Sequence, residues 1–397
     1  MPALNIKQLR SETLGTDHVN HLNNAGASLV PDPVHHTVQR YLELERTLGG
    51  YEAAEKSHDE IQQCYSHVGQ IIGSQAHNIA FTENATSSFL SALSSITFSP
   101  DDVILTSRND YASNQIMYLS LAERFGIQLI RVEDDQDGTV SLASLEALLH
   151  RLRPKMVAIS HIPTSSGMVQ PIKDIGTLCQ MYESLFLVDA CQSVGQMPID
   201  VKEIQCDFLS ATGRKFLRGP RGTGFLFVAD RILDAGYKPL FPDLRGADWV
   251  MDDHYQPAPD ACRFENWEFP YSLILGLGSA ARYAHELDVE EIRQRAWGLA
   301  DKTRNALSEL KGMSVIDLGA QKSAIVTATF SEKDATTISK SLRKLDINTS
   351  VCTRYSAVID FDHRKIESAL RISPHYYNTE EEIEELVSSL AQLLNQP

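Results

Sequence analysis

The sequence predicts an α/β fold, with a large domain on a mostly parallel seven-stranded sheet and a smaller α+β C-terminal domain. Three observations carry this. Seven short apolar runs lie between residues 79 and 228, and the segments between them show 3.6-residue apolar spacing. The 397-residue length, 43% hydrophobic, exceeds one small domain and suits a large domain with a smaller companion. After Met313 the alternation changes to a second, shorter set of strands and helices.

The strand candidates of the large domain are 79–81, 103–106, 128–132, 156–160, 184–189, 208–211 and 224–228. The intervening segments 85–96, 113–124, 142–149 and 172–182 read as helices. Ligands in such sheets sit at the carboxyl ends of the strands. Residues 236–270 are rich in proline, aspartate and aromatics and predict a long ordered loop. Residues 272–310 read as long helices. Strands at 314–316, 324–330, 347–351 and 369–373, with helices at 334–344 and 379–394, compose the smaller domain. The first twenty or so residues have no strand partner nearby in sequence and are expected to pack on it. The large domain is therefore set at 20–280, and the small one at 1–19 with 281–397.

Bulk properties narrow the function. A net charge of −16 argues against nucleic acid, which wants a basic face. Six cysteines are scattered with no CxxC pair, which reads as reduced thiols, with no disulfide framework and no metal site. The first residues lack the apolar core of a signal peptide, and no run of about 18 apolar residues predicts a membrane span. The expectation is a cytoplasmic enzyme for a small molecule.

The chemistry gathers at strand ends. In residues 207–224 a lysine follows small, hydroxyl and arginine residues, and a glycine-rich turn then leads into an apolar strand. Lys215 is the candidate Schiff-base lysine. Its amine must lose a proton to act, and the neighbouring Arg214 favours that loss. Asp189 ends the apolar run 185–188 and suits a protonated ring nitrogen, though a helix N-cap is the plainer use of an aspartate there. Such a lysine and aspartate together point to pyridoxal 5′-phosphate. Gln192 is placed to reach the ring 3′-oxygen. Residues 82–88 follow a strand and open a helix, so free N–H groups there favour a phosphate. Thr212 and Arg214 would complete that cup. Tyr111 is a candidate for stacking on the ring, against the commoner fate of a half-buried core tyrosine. Thr164 is a candidate for the cofactor oxygen, and His161 beside it for a support group. Arg371 suits a substrate carboxylate. The small-residue turn at 22–28, with Asn24 and Ala25, could close over the substrate. Residues 241–249 and Trp267 are candidates for side-chain recognition.

Together these residues resemble the class V aminotransferase family, fold type I pyridoxal phosphate enzymes that include cysteine desulfurases and selenocysteine lyases. The motifs run from Asn23 to Glu381. The resemblance implies a homodimer with active sites at the subunit interface. It implies that Asp189 and Gln192 meet the ring nitrogen and 3′-oxygen, that Ala85, Thr86, Thr212 and Arg214 hold the phosphate, and that Lys215 carries the cofactor. It also implies that Arg371 takes the substrate carboxylate and that Thr223 reaches the neighbouring subunit's phosphate. Segments 23–26, 213–224 and 263–268 are similar to hercynylcysteine sulfoxide lyase-like and isopenicillin N epimerase-like proteins. Two positions depart from the desulfurase pattern: Tyr111 and Arg214 stand where desulfurases carry histidines. Cys352 lies near the desulfurase persulfide cysteine but lacks the small-residue loop around it.

The expected reaction is C–S cleavage of a cysteine-derived S-conjugate or sulfoxide. Lys215 removes the α-proton and β-elimination follows. The alternatives are an amino-acid epimerase or aminotransferase, and a cysteine desulfurase or selenocysteine lyase.

Overall fold

The computed structural model describes residues 4–395. Seven strands form the main sheet: β1 (Ile79–Thr82), β2 (Val103–Thr106), β3 (Gln128–Arg131), β4 (Met156–Ser160), β5 (Leu185–Asp189), β6 (Phe208–Thr212) and β7 (Gly224–Val228). Their order is 1-7-6-5-4-2-3, and only β7 runs against the rest. Side chains alternate across the sheet, as strand geometry requires. On β4, Val157 and Ile159 join one apolar cluster, while Met156 and Ala158 join the cluster on the opposite face. Both faces are covered, so the strands read as continuous apolar runs.

The helices that frame this sheet are α1 (Asp32–Leu48), α2 (His58–Ile71), α3 (Ala85–Ser94), α4 (Ala112–Phe125), α5 (Leu142–Leu152), α6 (Ile172–Met181) and α7 (Tyr271–Glu286). The expected long helical stretch is two helices, α7 and α8 (Val289–Ser308). The break falls at Asp288, in the left-handed region at φ 65°, whose side chain caps α8 through the Glu290 N–H at 2.9 Å.

One expectation needs correction. The predicted loop 236–270 contains a hairpin, β8 (Ala247–Met251) against β9 (His254–Pro257). The turn is Asp252-Asp253, and the strand residues Trp249, Val250 and Tyr255 favour extended backbone. The surrounding prolines and aspartates hid that signal.

A second sheet follows, with strands β10 (Met313–Val315), β11 (Val326–Phe330), β12 (Ser350–Thr353) and β13 (Ser368–Ile372) in the order 10-11-13-12, all antiparallel. Helix α9 (Ala335–Arg343) packs on it beside α8, and α10 (Glu380–Asn395) packs on those two helices. The N-terminal segment is tied to this part of the chain. Asn20–His21 pairs in parallel with Ile347–Asn348, and Arg10 bonds Glu382 at 2.8 Å.

Arg218 holds the two sheets' surroundings together. It is 1% exposed and donates to Thr13 Oγ1 at 2.7 Å, Leu29 O at 2.9 Å and the Tyr376 hydroxyl at 2.5 Å. Its guanidinium also lies 4.4 Å from the Tyr377 ring centre. The turn that carries Lys215 is thus bolted to the N-terminal segment and to the end of β13. Among the described residues, no helix is long and apolar enough to cross a membrane.

Candidate active site

One cavity opens at the carboxyl ends of β2, β4, β5 and β6. Ala85, Thr86, Tyr111, Thr164, Asp189, Gln192, Thr212, Arg214 and Lys215 all line it. Five further residues complete the lining: Asn84, Asn114, Ser160, Ile162 and Cys191.

At one end, α3 points its N-terminus into the cavity. The Asn84 side chain caps the Ser87 N–H at 2.9 Å, which leaves the first helical N–H groups for a ligand. Gly224 makes this approach possible. A Cβ there would lie 2.5 Å from the Asn84 carbonyl carbon and 2.7 Å from the Ala85 nitrogen. The Arg214 guanidinium enters from the other side, held by the Gly26 carbonyl, and Thr212 donates to Thr223 O at 3.2 Å.

At the other end sits Asp189. Its Oδ1 accepts from the Cys191 N–H at 3.0 Å and its Oδ2 from Asn114 Nδ2 at 3.1 Å. Gln192 Nε2 donates to the Ala25 carbonyl and to Thr164 Oγ1, both at 3.1 Å, and its buried Oε1 has no partner among the described residues. Lys215 is 9% exposed. Burial is the main cause that lowers its pKa. Arg214 and Arg371 push the same way, against Cys191 and Asp189.

Arg371 approaches from β13. Its Nη1 donates to Thr164 Oγ1 at 2.7 Å and Thr164 O at 3.2 Å, and its Nη2 to Asn23 Oδ1 at 3.3 Å. Its buried Nε is unpartnered among the described residues.

Three predicted residues are placed elsewhere. Thr223 is 1% exposed, and its hydroxyl donates to the Pro220 carbonyl at 2.7 Å. It is folded into its own turn, in which Arg221 and Gly222 are the exposed residues. Asn24 is fully buried and spends its amide on Ser373 O at 2.8 Å and the Tyr377 hydroxyl at 2.5 Å. Ala25 is 1% exposed, bonded through its N–H to Ser373 Oγ and through its carbonyl to Gln192. Neither lines the cavity. Asn23, on the same turn, is the residue that contacts Arg371.

His161 lines a separate cavity, and burial lowers its pKa to about 3, so it stays neutral at physiological pH. It is no proton donor to this site. Cys352 is 3% exposed and its thiol donates to Thr164 O at 3.4 Å. Burial raises its pKa. The loop residues Phe241 and Trp249 and the nearby Trp267 are 83%, 74% and 56% exposed, and none lines the cavity.

The donor set fits pyridoxal phosphate: anion-binding N–H and guanidinium groups at one end, a carboxylate at the other, and a buried amine with a lowered pKa in the same cavity. The unpartnered Gln192 Oε1 and Arg371 Nε mark polar groups still open to a ligand.

A family model described as aminotransferase class-V matches residues 20–386. A protein named probable cysteine desulfurase from Methanothermobacter thermautotrophicus is 26% identical over 389 residues, covering 95% of each chain. The solved apo structure of a cysteine desulfurase from Thermococcus onnurineus NA1 superposes with a TM-score of 0.90 at 24% identity, covering 99% of this chain and 98% of that one. A cystine C–S lyase, solved with its product cysteine persulfide, gives 0.84 at 21% identity, covering 96% and 99%. The match to the family model spans nearly the whole chain, and this protein belongs to the aminotransferase class V family.

Proposed function

We propose that this chain is a pyridoxal phosphate enzyme that cleaves a carbon–sulfur bond of cysteine or a cysteine derivative. The observation that carries the reading is the buried Lys215, sharing one cavity with Asp189 and the anion-binding start of α3, with Arg371 beside it. When bound, the cofactor supplies an electron sink for the electrons left at the substrate Cα. The chain's residues do the rest. The N–H groups at Ala85 and Thr86, with Thr212 and Arg214, would hold the phosphate. Asp189 would keep a proton on the ring nitrogen, and Tyr111 would cover the ring. Arg371 would orient the substrate carboxylate, with Thr164 and Asn23 fixing its guanidinium. Lys215, its proton affinity lowered by burial, would take the proton from Cα.

The relatives, named probable cysteine desulfurases, support desulfurisation; in that reaction cysteine would give alanine and its sulfur would pass to an acceptor thiol as a persulfide. A second reading has one observation in its favour. Cys352, the candidate acceptor, is buried and bonded to Thr164 O, and its pKa is raised, so it is no ready nucleophile. Elimination from an S-substituted cysteine needs no such acceptor. It releases a thiol, and water then gives pyruvate and ammonia. Supplying L-cysteine with a reducing thiol, and separately an S-substituted cysteine, distinguishes the two. Alanine with matching sulfide supports desulfurisation, and pyruvate supports elimination. Neither product from cofactor-loaded protein contradicts C–S cleavage altogether, and Lys215→Ala should abolish whichever product appears.

The same reading includes a homodimer. Leu240, Phe241, Leu244, Trp249 and Met251 are each more than 60% exposed on one short segment, a large apolar surface for a lone chain. Sedimentation at micromolar concentration should give twice the chain mass. A monomer there would remove the proposal.

A further inference from the structure

Asp110 sits one residue before Tyr111, at the end of the turn after β2, and is 7% exposed. Its carboxylate accepts five hydrogen bonds. Oδ1 takes Ser160 Oγ at 2.6 Å, the Tyr111 N–H at 2.7 Å and Asn114 Nδ2 at 3.1 Å. Oδ2 takes Thr106 Oγ1 at 3.1 Å and Gln115 Nε2 at 3.3 Å. All five donors are neutral groups. Three are N–H groups that can only donate, which favours the ionised carboxylate, while burial favours the neutral acid.

Asn114 is the informative partner. It is 2% exposed, and its single NH₂ group bonds both Asp110 Oδ1 and Asp189 Oδ2, each at 3.1 Å. An amide has two hydrogens, so one goes to each acid. A turn held in place by Asp110 would need only the Tyr111, Ser160 and Thr106 bonds. The bridge to Asp189 adds something else: it couples the acid that faces the cavity to a buried acid that does not line it. The titratable and charged groups around the pair include Tyr118 against Asp110, Arg131 behind Gln115, and Cys191 and Lys215 on the cavity side of Asp189.

We propose that Asp110 is a positioning residue that, through Asn114, sets the orientation of Asp189 and the charge behind it. Asn114 fixes one oxygen of Asp189 and the Cys191 N–H fixes the other, so the free lone pairs point in one direction. When ionised, Asp110 places a second negative charge behind the amide, which would favour positive charge in the cavity beyond Asp189. A protonated ring nitrogen bound there would then be held more firmly. The inference rests on the pyridoxal phosphate reading above.

The test uses the full-length protein loaded with pyridoxal phosphate and reads the cofactor dissociation constant and the pH midpoint of its visible band. Asp110→Asn removes the charge, and Asn114→Ala removes the bridge while leaving the Tyr111 and Ser160 bonds in place. Each should weaken cofactor binding roughly 10-fold and move the midpoint down by about half a pH unit or more. Because both act through one path, the double variant should lose little more than the worse single one. Variants that fold and titrate like wild type overturn the proposal, and so does a double variant whose losses multiply. If Asp110→Asn does not fold, Asn114→Ala alone decides, since its midpoint either moves or does not. Wild-type protein that takes up no pyridoxal phosphate overturns the cofactor reading and this inference together. Uptake by wild type with unmoved variants overturns this inference alone.

Discussion

At the scale of single residues, the candidate site works by burial more than by ion pairing. Lys215 has no acid bonded to its amine, and burial lowers its pKa with help from Arg214 and Arg371. Asp189 is bonded only by neutral donors, which leaves its charge available to the cavity. That Lys215 and Asp189 share one cavity was legible in the sequence because each follows or ends an apolar strand run, and strand ends face ligands in sheets of this type. Thr223, Asn24 and Ala25 stay outside the cavity lining for one physical reason. A turn's sequence says which residues are near a site but not which side chain points into it. Thr223 closes its own turn on Pro220, and Asn24 clamps Ser373 and Tyr377. Asp110 and Asn114 left no readable signal. Their role exists only where α4 lays its first turn against the end of β5, a contact between segments 75 residues apart.

At the scale of elements, the site depends on how α3 meets the sheet. Its N-terminus can reach the cavity only because β7 begins with a residue that has no side chain. The order β1-β7-β6 brings Gly224 under Asn84 and Ala85, and their backbone atoms could not accept a methyl group at 2.5–2.7 Å. Gly224→Ala should therefore displace the start of α3. The expected cost is about 1–3 kcal/mol of stability, together with a cofactor affinity reduced roughly 10-fold by loss of the aligned N–H groups. Chemical denaturation and cofactor titration read the two effects separately. Unchanged values in both would show that α3 does not rely on this contact. The hairpin β8–β9 marks where the element-level reading failed. Its strands are short and exposed, so no buried apolar run announces them.

At the scale of the whole molecule, the fold gathers one cavity from distant parts of the chain. Strand ends from the main sheet supply Lys215, Asp189 and Thr164, and behind Thr164 stand Arg371 of β13 and Asn23 of the N-terminal turn, bonded to one another. Arg218 fastens these three parts to one another. The alternation of strands and helices announced the main sheet, but only the folded chain shows that Arg371 of the second sheet reaches Thr164 at the cavity wall. Lys215 is the residue proposed to carry the cofactor. The most direct test is borohydride reduction of protein loaded with pyridoxal phosphate, followed by digestion and mass spectrometry. The expected result is one phosphopyridoxyl adduct, on the peptide containing Lys215, and none on that peptide in Lys215→Ala. An adduct confined to other lysines, or no adduct at all, would contradict it.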